Sequence, residues 1–244
     1  MRIPLSFWTI VAVLILPASV PAQVQLTSYP GYESKIMSLE IEGLYSPALY
    51  FRSTTEGKRP LAIFLHGAGG GRGGKIVNSR SEVAQQLSEQ NLVCDVIHPL
   101  SPGRWSPKAL DELIELMIQE RAIDRHRIYI LGSSMGAAGT WEYGFRGKYD
   151  IAAFVPIASG ASRTEKVHDR WDITQMKDKP IWMFHGDEDT VVPFANALET
   201  ADLMKAINPK FKWTVFPGVK HGSRPHALKT DALYPWMLKQ SCKP

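Results

Sequence analysis

Arg127-Ile128-Tyr129-Ile130-Leu131-Gly132-Ser133-Ser134-Met135-Gly136-Ala137-Ala138-Gly139-Thr140-Trp141 joins an apolar run, two serines bracketed by glycines and a stretch of small residues. The apolar run reads as a strand covered on both faces, and the stretch after it as a helix. Gly132-x-Ser134-x-Gly136 therefore occupies a strand-to-helix turn, the setting in which a G-x-S-x-G pattern carries chemistry. So sharp a turn strains its central residue and crowds the neighbours, and glycines at both flanks relieve the crowding. Ser134 can then project its hydroxyl beyond the strand end as a nucleophile. The helix starting at Met135 directs its first backbone N–H groups at negative charge developing there. Ser133 is the weaker candidate. The plain alternative is a glycine-rich turn holding an ordinary serine.

Working outward, strand-like and helix-like segments alternate. Lys35–Glu42 and Leu44–Arg52 read as two early strands in an antiparallel start. Pro60–Leu65, Leu92–His98, Arg127–Leu131, Ala152–Ala158, Pro180–Phe184 and Phe211–Phe216 follow as further strands. Between them, Pro107–Arg121 is the clearest helix, with Leu110, Leu113, Ile114, Met117 and Ile118 on one face. Ser106 suits its N-cap and Pro107 its first turn. Alternation of this kind predicts an α/β domain with a mostly parallel, twisted sheet of about eight strands and helices on both faces. Chemistry in such sheets gathers beyond the carboxyl ends of the strands.

The loop after Pro60–Leu65 runs His66-Gly67-Ala68-Gly69-Gly70-Gly71-Arg72-Gly73-Gly74-Lys75. Gly69 to Lys75 fits the spacing of a phosphate-binding loop, but Ile76 stands where a magnesium-binding Ser or Thr is needed. Nucleotide binding is set aside on that ground. Small residues at 67–69 instead let a backbone N–H approach an oxyanion, so the donors expected beside Ser134 are Ala68 and Met135. His66 is expected to brace the loop.

A serine nucleophile needs a base, and the base needs an acid to orient it. The strand at Pro180–Phe184 ends in His185-Gly186-Asp187-Glu188-Asp189-Thr190, where Asp189 is the first candidate acid and Asp187 the second. A helix cap is the alternative role for Asp187 or Thr190. After the last strand comes Pro217-Gly218-Val219-Lys220-His221, which makes His221 the expected base. His226 is its rival, placed in a C-terminal helix. No His, Cys, Asp and Glu cluster has ligand spacing, so neither metal nor organic cofactor is expected.

Composition excludes other classes. The 244 residues carry 28 Lys+Arg against 24 Asp+Glu, scattered rather than gathered into the basic patch that nucleic-acid binding wants. Only residues 1–22 read as separate from the domain. Arg2, the 12-residue apolar run Leu5–Leu16 and Val20-Pro21-Ala22 have the layout of a signal peptide cleaved after Ala22. The run is short for a membrane span, which takes about 20 apolar residues. Residues 23–244 are then a single exported domain, secreted or periplasmic. Export leaves open whether Cys94 and Cys242 form a disulfide or stay as thiols. Oligomeric state is left open as well.

Asp124-Arg125-His126-Arg127-Ile128-Tyr129 with the serine motif, and His185-Gly186-Asp187-Glu188-Asp189 with Val192-Pro193, resemble the secreted, dienelactone-hydrolase-like branch of the α/β-hydrolases. That branch takes in feruloyl and acetylxylan esterases, polyhydroxybutyrate depolymerase-like proteins, and a group of predicted peptidases and phospholipase/carboxylesterases. The resemblance spans about residues 35 to 240, and the family's acid matches Asp189. It implies an α/β-hydrolase fold and a serine esterase acting on small-molecule or polysaccharide-linked esters. Two departures stand out: Ala137 in place of a glycine, and Gly222-Ser223-Arg224 where the family often has Asp and an aromatic residue. Trp105 is the candidate to line the substrate pocket, with a surface-loop aromatic packed on its neighbours as the plain alternative. A peptidase of the same fold and a non-catalytic binding module are the competing expectations.

Overall fold

Continuous apolar runs from 60 to 216 become six mutually parallel strands. The computed structural model describes residues 26–70, 74, 80–162 and 166–242. Its elements in chain order are β1 Tyr32–Met37, β2 Tyr45–Ser53, β3 Arg59–Leu65, α1 Glu82–Glu89, β4 Asp95–Leu100, α2 Pro107–Glu120, β5 Ile123–Ser133 and α3 Met135–Arg146. There follow β6 Ala153–Ile157, α4 Val167–Arg170, β7 Ile181–Gly186, α5 Phe194–Ile207, β8 Phe211–Phe216, α6 Arg224–Leu228 and α7 Leu233–Leu238. The sheet runs β1-β2-β4-β3-β5-β6-β7-β8, with β1/β2 and β2/β4 antiparallel and the other pairs parallel. The signal-peptide reading of residues 1–22 lies outside the described residues, as does most of the Gly69–Lys75 phosphate-loop pattern.

The two-residue period of a strand sorts β3 cleanly. Leu61, Ile63 and Leu65 pack on one face with Leu113, Ile114 and Met117 of α2, Trp141 of α3 and Met204 of α5. Ala62 and Phe64 pack on the other with Val83 and Leu87 of α1, Leu228 of α6 and Tyr234 of α7. Helices therefore cover both faces, as alternation predicts. Ser106 caps α2 by accepting from the Ala109 N–H, with Pro107 in the first turn.

The expected strand at Leu92–His98 is displaced to Asp95–Leu100. Asn91 adopts a positive φ of 53° and the Leu92 N–H donates to the Leu87 carbonyl, so Leu92 closes the end of α1 instead of entering the sheet. The first strand likewise begins and ends earlier than expected, at Tyr32–Met37. Cys94 and Cys242 are free thiols. Cys94 is wholly buried, and the Cys242 N–H donates to the His126 carbonyl, which ties down the chain end without a bridge.

At the end of the sheet away from the serine turn, Asp95 accepts from Arg59 Nε at 2.9 Å and Nη2 at 3.2 Å, from the Ser53 N–H at 2.9 Å and from the Tyr50 hydroxyl. Both charges are buried, and each is answered.

Candidate active site

β5 ends at Ser133, and Ser134 takes φ 55° and ψ −114° before α3 begins. That left-handed backbone is costly for a side-chain-bearing residue and is held by the turn around it. The Ser134 N–H donates to the Ile157 carbonyl on β6 at 2.9 Å. A Cβ on Gly136 would lie 1.9 Å from the Leu65 carbonyl oxygen, and one on Gly132 would lie 2.2 Å from the Gly136 carbonyl oxygen. Only glycine allows this turn to close against the end of β3.

The loops after β7 and β8 carry the candidate acid and the candidate base. Asp189 is buried, and its Oδ1 accepts from the Val191 and Val192 N–H groups, each at 2.9 Å. Its Oδ2 accepts from His221 Nδ1 at 2.8 Å. His221 Nδ1 therefore holds the hydrogen, and Nε2 accepts from the Ser134 hydroxyl at 2.8 Å. Ser134, His221 and Asp189 thus form one unbroken hydrogen-bonded line. Such a line can take a proton from the serine and steady the imidazolium that results.

Asp187 is elsewhere. Its Oδ1 accepts from the Gly218 N–H at 2.7 Å, so it fastens the turn after β8 and does not touch the imidazole. Nor does Asp187 or Thr190 cap α5, whose N-cap is Pro193. The two loops also meet through Gly186, where a Cβ would fall 2.0 Å from the Val219 carbonyl oxygen. His226 lies in α6, against the Phe216 ring.

The loop after β3 abuts the serine turn: a Cβ on Gly67 would lie 3.2 Å from the Ser133 carbonyl oxygen and 3.4 Å from the Ser134 Cβ. His66 Nε2 accepts from the Ser101 N–H at 3.0 Å, so Nδ1 carries the hydrogen and donates to the Gly67 carbonyl at 2.7 Å. Burial pushes the His66 pKa down, in keeping with this neutral form. The Gly70 N–H donates to the same carbonyl at 3.0 Å. Gly67 C=O and Ala68 N–H belong to one planar trans peptide and point in opposite directions. Fixing the carbonyl therefore fixes the Ala68 donor, and the Met135 N–H, first in α3, has no partner within its own helix.

Trp105 is buried, and its indole N–H donates to the His66 carbonyl at 3.1 Å. It also lines a cavity of about 240 Å³ beside Met135, together with Gly139, Ala161, Trp171 and Val191. Gly139 makes room for it, since a Cβ there would lie 2.6 Å from that of Trp105. The sequence reading anticipated a brace at His66 but missed Ser101 as its partner, and it gave Trp105 a lining role without the brace. Neither contact has a motif, because both join residues more than 30 positions apart. Among the described residues, no group of His, Cys, Asp and Glu is placed to hold a metal ion.

Residues 105–232 match the family model for phospholipase/carboxylesterase proteins. Two proteins named acyl-protein thioesterase 1 are similar. That of Gibberella zeae is 27% identical over 138 residues, 56% of this chain and 57% of its own length. That of Neurospora crassa is 30% identical over 105 residues, 43% of each. The chain thus spans about half the length of these curated relatives. A crystal structure of a thermostable esterase superposes with a TM-score of 0.70 at 26% identity, covering 87% of this chain and 64% of that one.

Proposed function

Because the chain belongs to the phospholipase/carboxylesterase family, we propose that it is a serine hydrolase that cleaves carboxylic esters through an acyl-enzyme. Ser134 Oγ attacks the ester carbonyl while its proton passes to His221 Nε2. The carbonyl oxygen, now negative, is held by the Ala68 and Met135 N–H groups. His221 returns the proton to the departing alcohol as the acyl–oxygen bond breaks. Water then attacks the acyl-serine as His221 takes its proton; the acyl–Oγ bond breaks, His221 returns the proton to Ser134 Oγ, and the carboxylic acid leaves. Asp189 keeps His221 in the Nδ1–H tautomer throughout.

The observation that carries this reading is the line from Ser134 Oγ to His221 to Asp189, with both bonds at 2.8 Å. The 240 Å³ cavity beside Met135, with Trp105 in its wall, suits a short acyl group or a single aromatic ring rather than a long chain. Acetyl or feruloyl esters of polysaccharides fit that size and the exported location proposed for residues 23–244. A thioester is the second reading, favoured by the names of the two relatives.

One panel tests the proposal: p-nitrophenyl acetate and palmitate, methyl ferulate, acetylated xylan, an acetyl thioester and a chromogenic peptide. Acetate turnover is expected, with little palmitate turnover and no peptide cleavage. Ser134→Ala should lose roughly 10⁶-fold in kcat and all labelling by a fluorophosphonate, while Ser133→Ala keeps substantial activity. Labelling that survives in folded Ser134→Ala refutes the nucleophile. Peptide cleavage faster than any ester points to a peptidase. Inactivity throughout, with Ser134 unlabelled, points to a binding module.

A further inference from the structure

His185 sits one residue before the end of β7, with no exposed surface, and the mechanism above does not use it. Its ring is stacked near Trp213 of β8 at a centroid distance of 6.5 Å and tilted against Phe194 of α5 at 6.2 Å. Nε2 lies 3.0 Å from the Val192 carbonyl and 3.3 Å from Asp189 Oδ2. A carbonyl only accepts, so Nε2 carries the hydrogen. Nδ1 is buried and meets no hydrogen-bond partner among the described residues. A proton there would be an unanswered N–H on a buried cation, so the ring is the neutral Nε2–H tautomer. Burial accordingly pushes the His185 pKa down. The titratable groups facing it are Asp189 from its own loop and His221 from the loop after β8.

Two backbone N–H groups bond the acid besides His221, and the His185 N–H, bonded to the Val192 carbonyl, lies 3.3 Å from its second oxygen. Val191 and Val192 hold Oδ1, and the edge of His185 faces Oδ2, the oxygen that accepts from the base. The same His185 N–H grips the carbonyl of Val192, whose own N–H grips the carboxylate. The acid's turn is thus held from within.

We propose that His185 is a positioning residue, a neutral donor that locks the turn carrying Asp189 and draws off part of the charge Oδ2 presents to His221. The proposal rests on the reading of Ser134, His221 and Asp189 given above. Removing the N–H leaves the Val192 carbonyl unanswered and concentrates negative charge on the face of Asp189 toward the base. Imidazolium is then favoured, and the acid limb of the rate profile moves to higher pH.

His185→Phe keeps a ring in the stack and removes the donor, whereas His185→Gln restores an N–H near the Nε2 position. With p-nitrophenyl acetate, His185→Phe should lose about 10- to 100-fold in kcat with KM little changed. Its acid limb should rise by about half a pH unit or more. His185→Gln should recover most of kcat and the wild-type limb. Should His185→Phe not fold, ¹⁵N spectra of histidine-labelled wild-type enzyme decide. His185 is expected to remain the Nε2–H neutral form from pH 5 to 8, and titration in that range or an Nδ1–H form overturns the proposal. It is equally overturned if His185→Phe folds and keeps its acid limb, or if Gln rescues nothing. An inactive wild-type enzyme with Ser134 unlabelled would sink the hydrolase reading instead, so the two failures are distinguishable.

Discussion

Gly186→Ala tests how the acid and base loops are brought together. The added Cβ would stand 2.0 Å from the Val219 carbonyl oxygen, 2.6 Å from its carbon and 2.7 Å from the Lys220 oxygen. All three are backbone atoms, so no rotamer change relieves the contact. Restoring even a 3.0 Å approach needs the 219–221 segment to retreat by about 1 Å. His221 is two residues on, and both its bonds are 2.8 Å. A retreat of that size takes at least one of them past hydrogen-bonding range. Misplacement of about 1 Å costs roughly 10²-fold in rate, so kcat should fall by about that factor. The bond from the Glu188 N–H to the Val219 carbonyl is disturbed too. With the strain of overpacking, about 1–3 kcal/mol of stability should go. Gly222→Ala is the control, because no described residue lies within 4 Å of the added carbon and the backbone there has no positive φ. Purified variants are compared by thermal melting, p-nitrophenyl acetate turnover and the rate of fluorophosphonate labelling. Gly186→Ala with wild-type kcat and melting temperature would refute the reasoning, as would an equal loss in Gly222→Ala.

Asp189→Asn should cost up to about 10⁴-fold in kcat by releasing the wrong imidazole tautomer, whereas Asp187→Asn keeps its acceptor for Gly218 and should lose only a few-fold; steady-state rates at unchanged melting temperature rank the two. Asp95→Ala strands the buried Arg59 guanidinium and should lower urea-unfolding stability by about 3–5 kcal/mol, while the folded protein still labels at Ser134. His98, packed between the Phe51 and Phe64 rings, has its pKa pulled down by burial from 6.5 to about 3. Its folded pKa is depressed, so above 6.5 both states are neutral, and below it the unfolded chain takes a proton that the folded one refuses. Stability should then fall by up to about 1.4 kcal/mol per pH unit between 6.5 and 3. In urea titrations at pH 7.5 and 5, His98→Gln should lose less on acidification than wild type, and an equal loss would count against this account.

Local periodicity carried the sheet far. β8 occupies Phe211–Phe216, the expected bounds, because its run is bracketed by Pro209 and by Pro217-Gly218. β4 was misplaced because Leu92 and Val93 are as apolar as strand residues, and the demand of α1 for a closing turn is invisible in hydrophobicity alone. The serine turn was legible because its chemistry and its steric needs share five consecutive residues. Choosing between Asp187 and Asp189 was harder, since both are aspartates at one strand end. Only the approach of the β8 loop separates them, giving one the Gly218 N–H and the other the imidazole. The contacts of His66 with Ser101 and of His185 with Val192 and Asp189 depend on tautomer and distance. Composition encodes neither.

The edge position of β8 has a consequence for how the molecule fails when warmed. Among the described residues β8 pairs with β7 alone, and its residues are mostly partly exposed, whereas β5 lies well inside the sheet and is largely buried. The proposed nucleophile therefore rides on a strand that opens with the whole domain, and the base hangs from one that can fray by itself. Heat should first produce a protein with its serine turn intact and its imidazole withdrawn, recoverable on cooling. Catalysis would then end below the temperature at which the core melts, and the ceiling would be set by the grip of β7 on its outer neighbour.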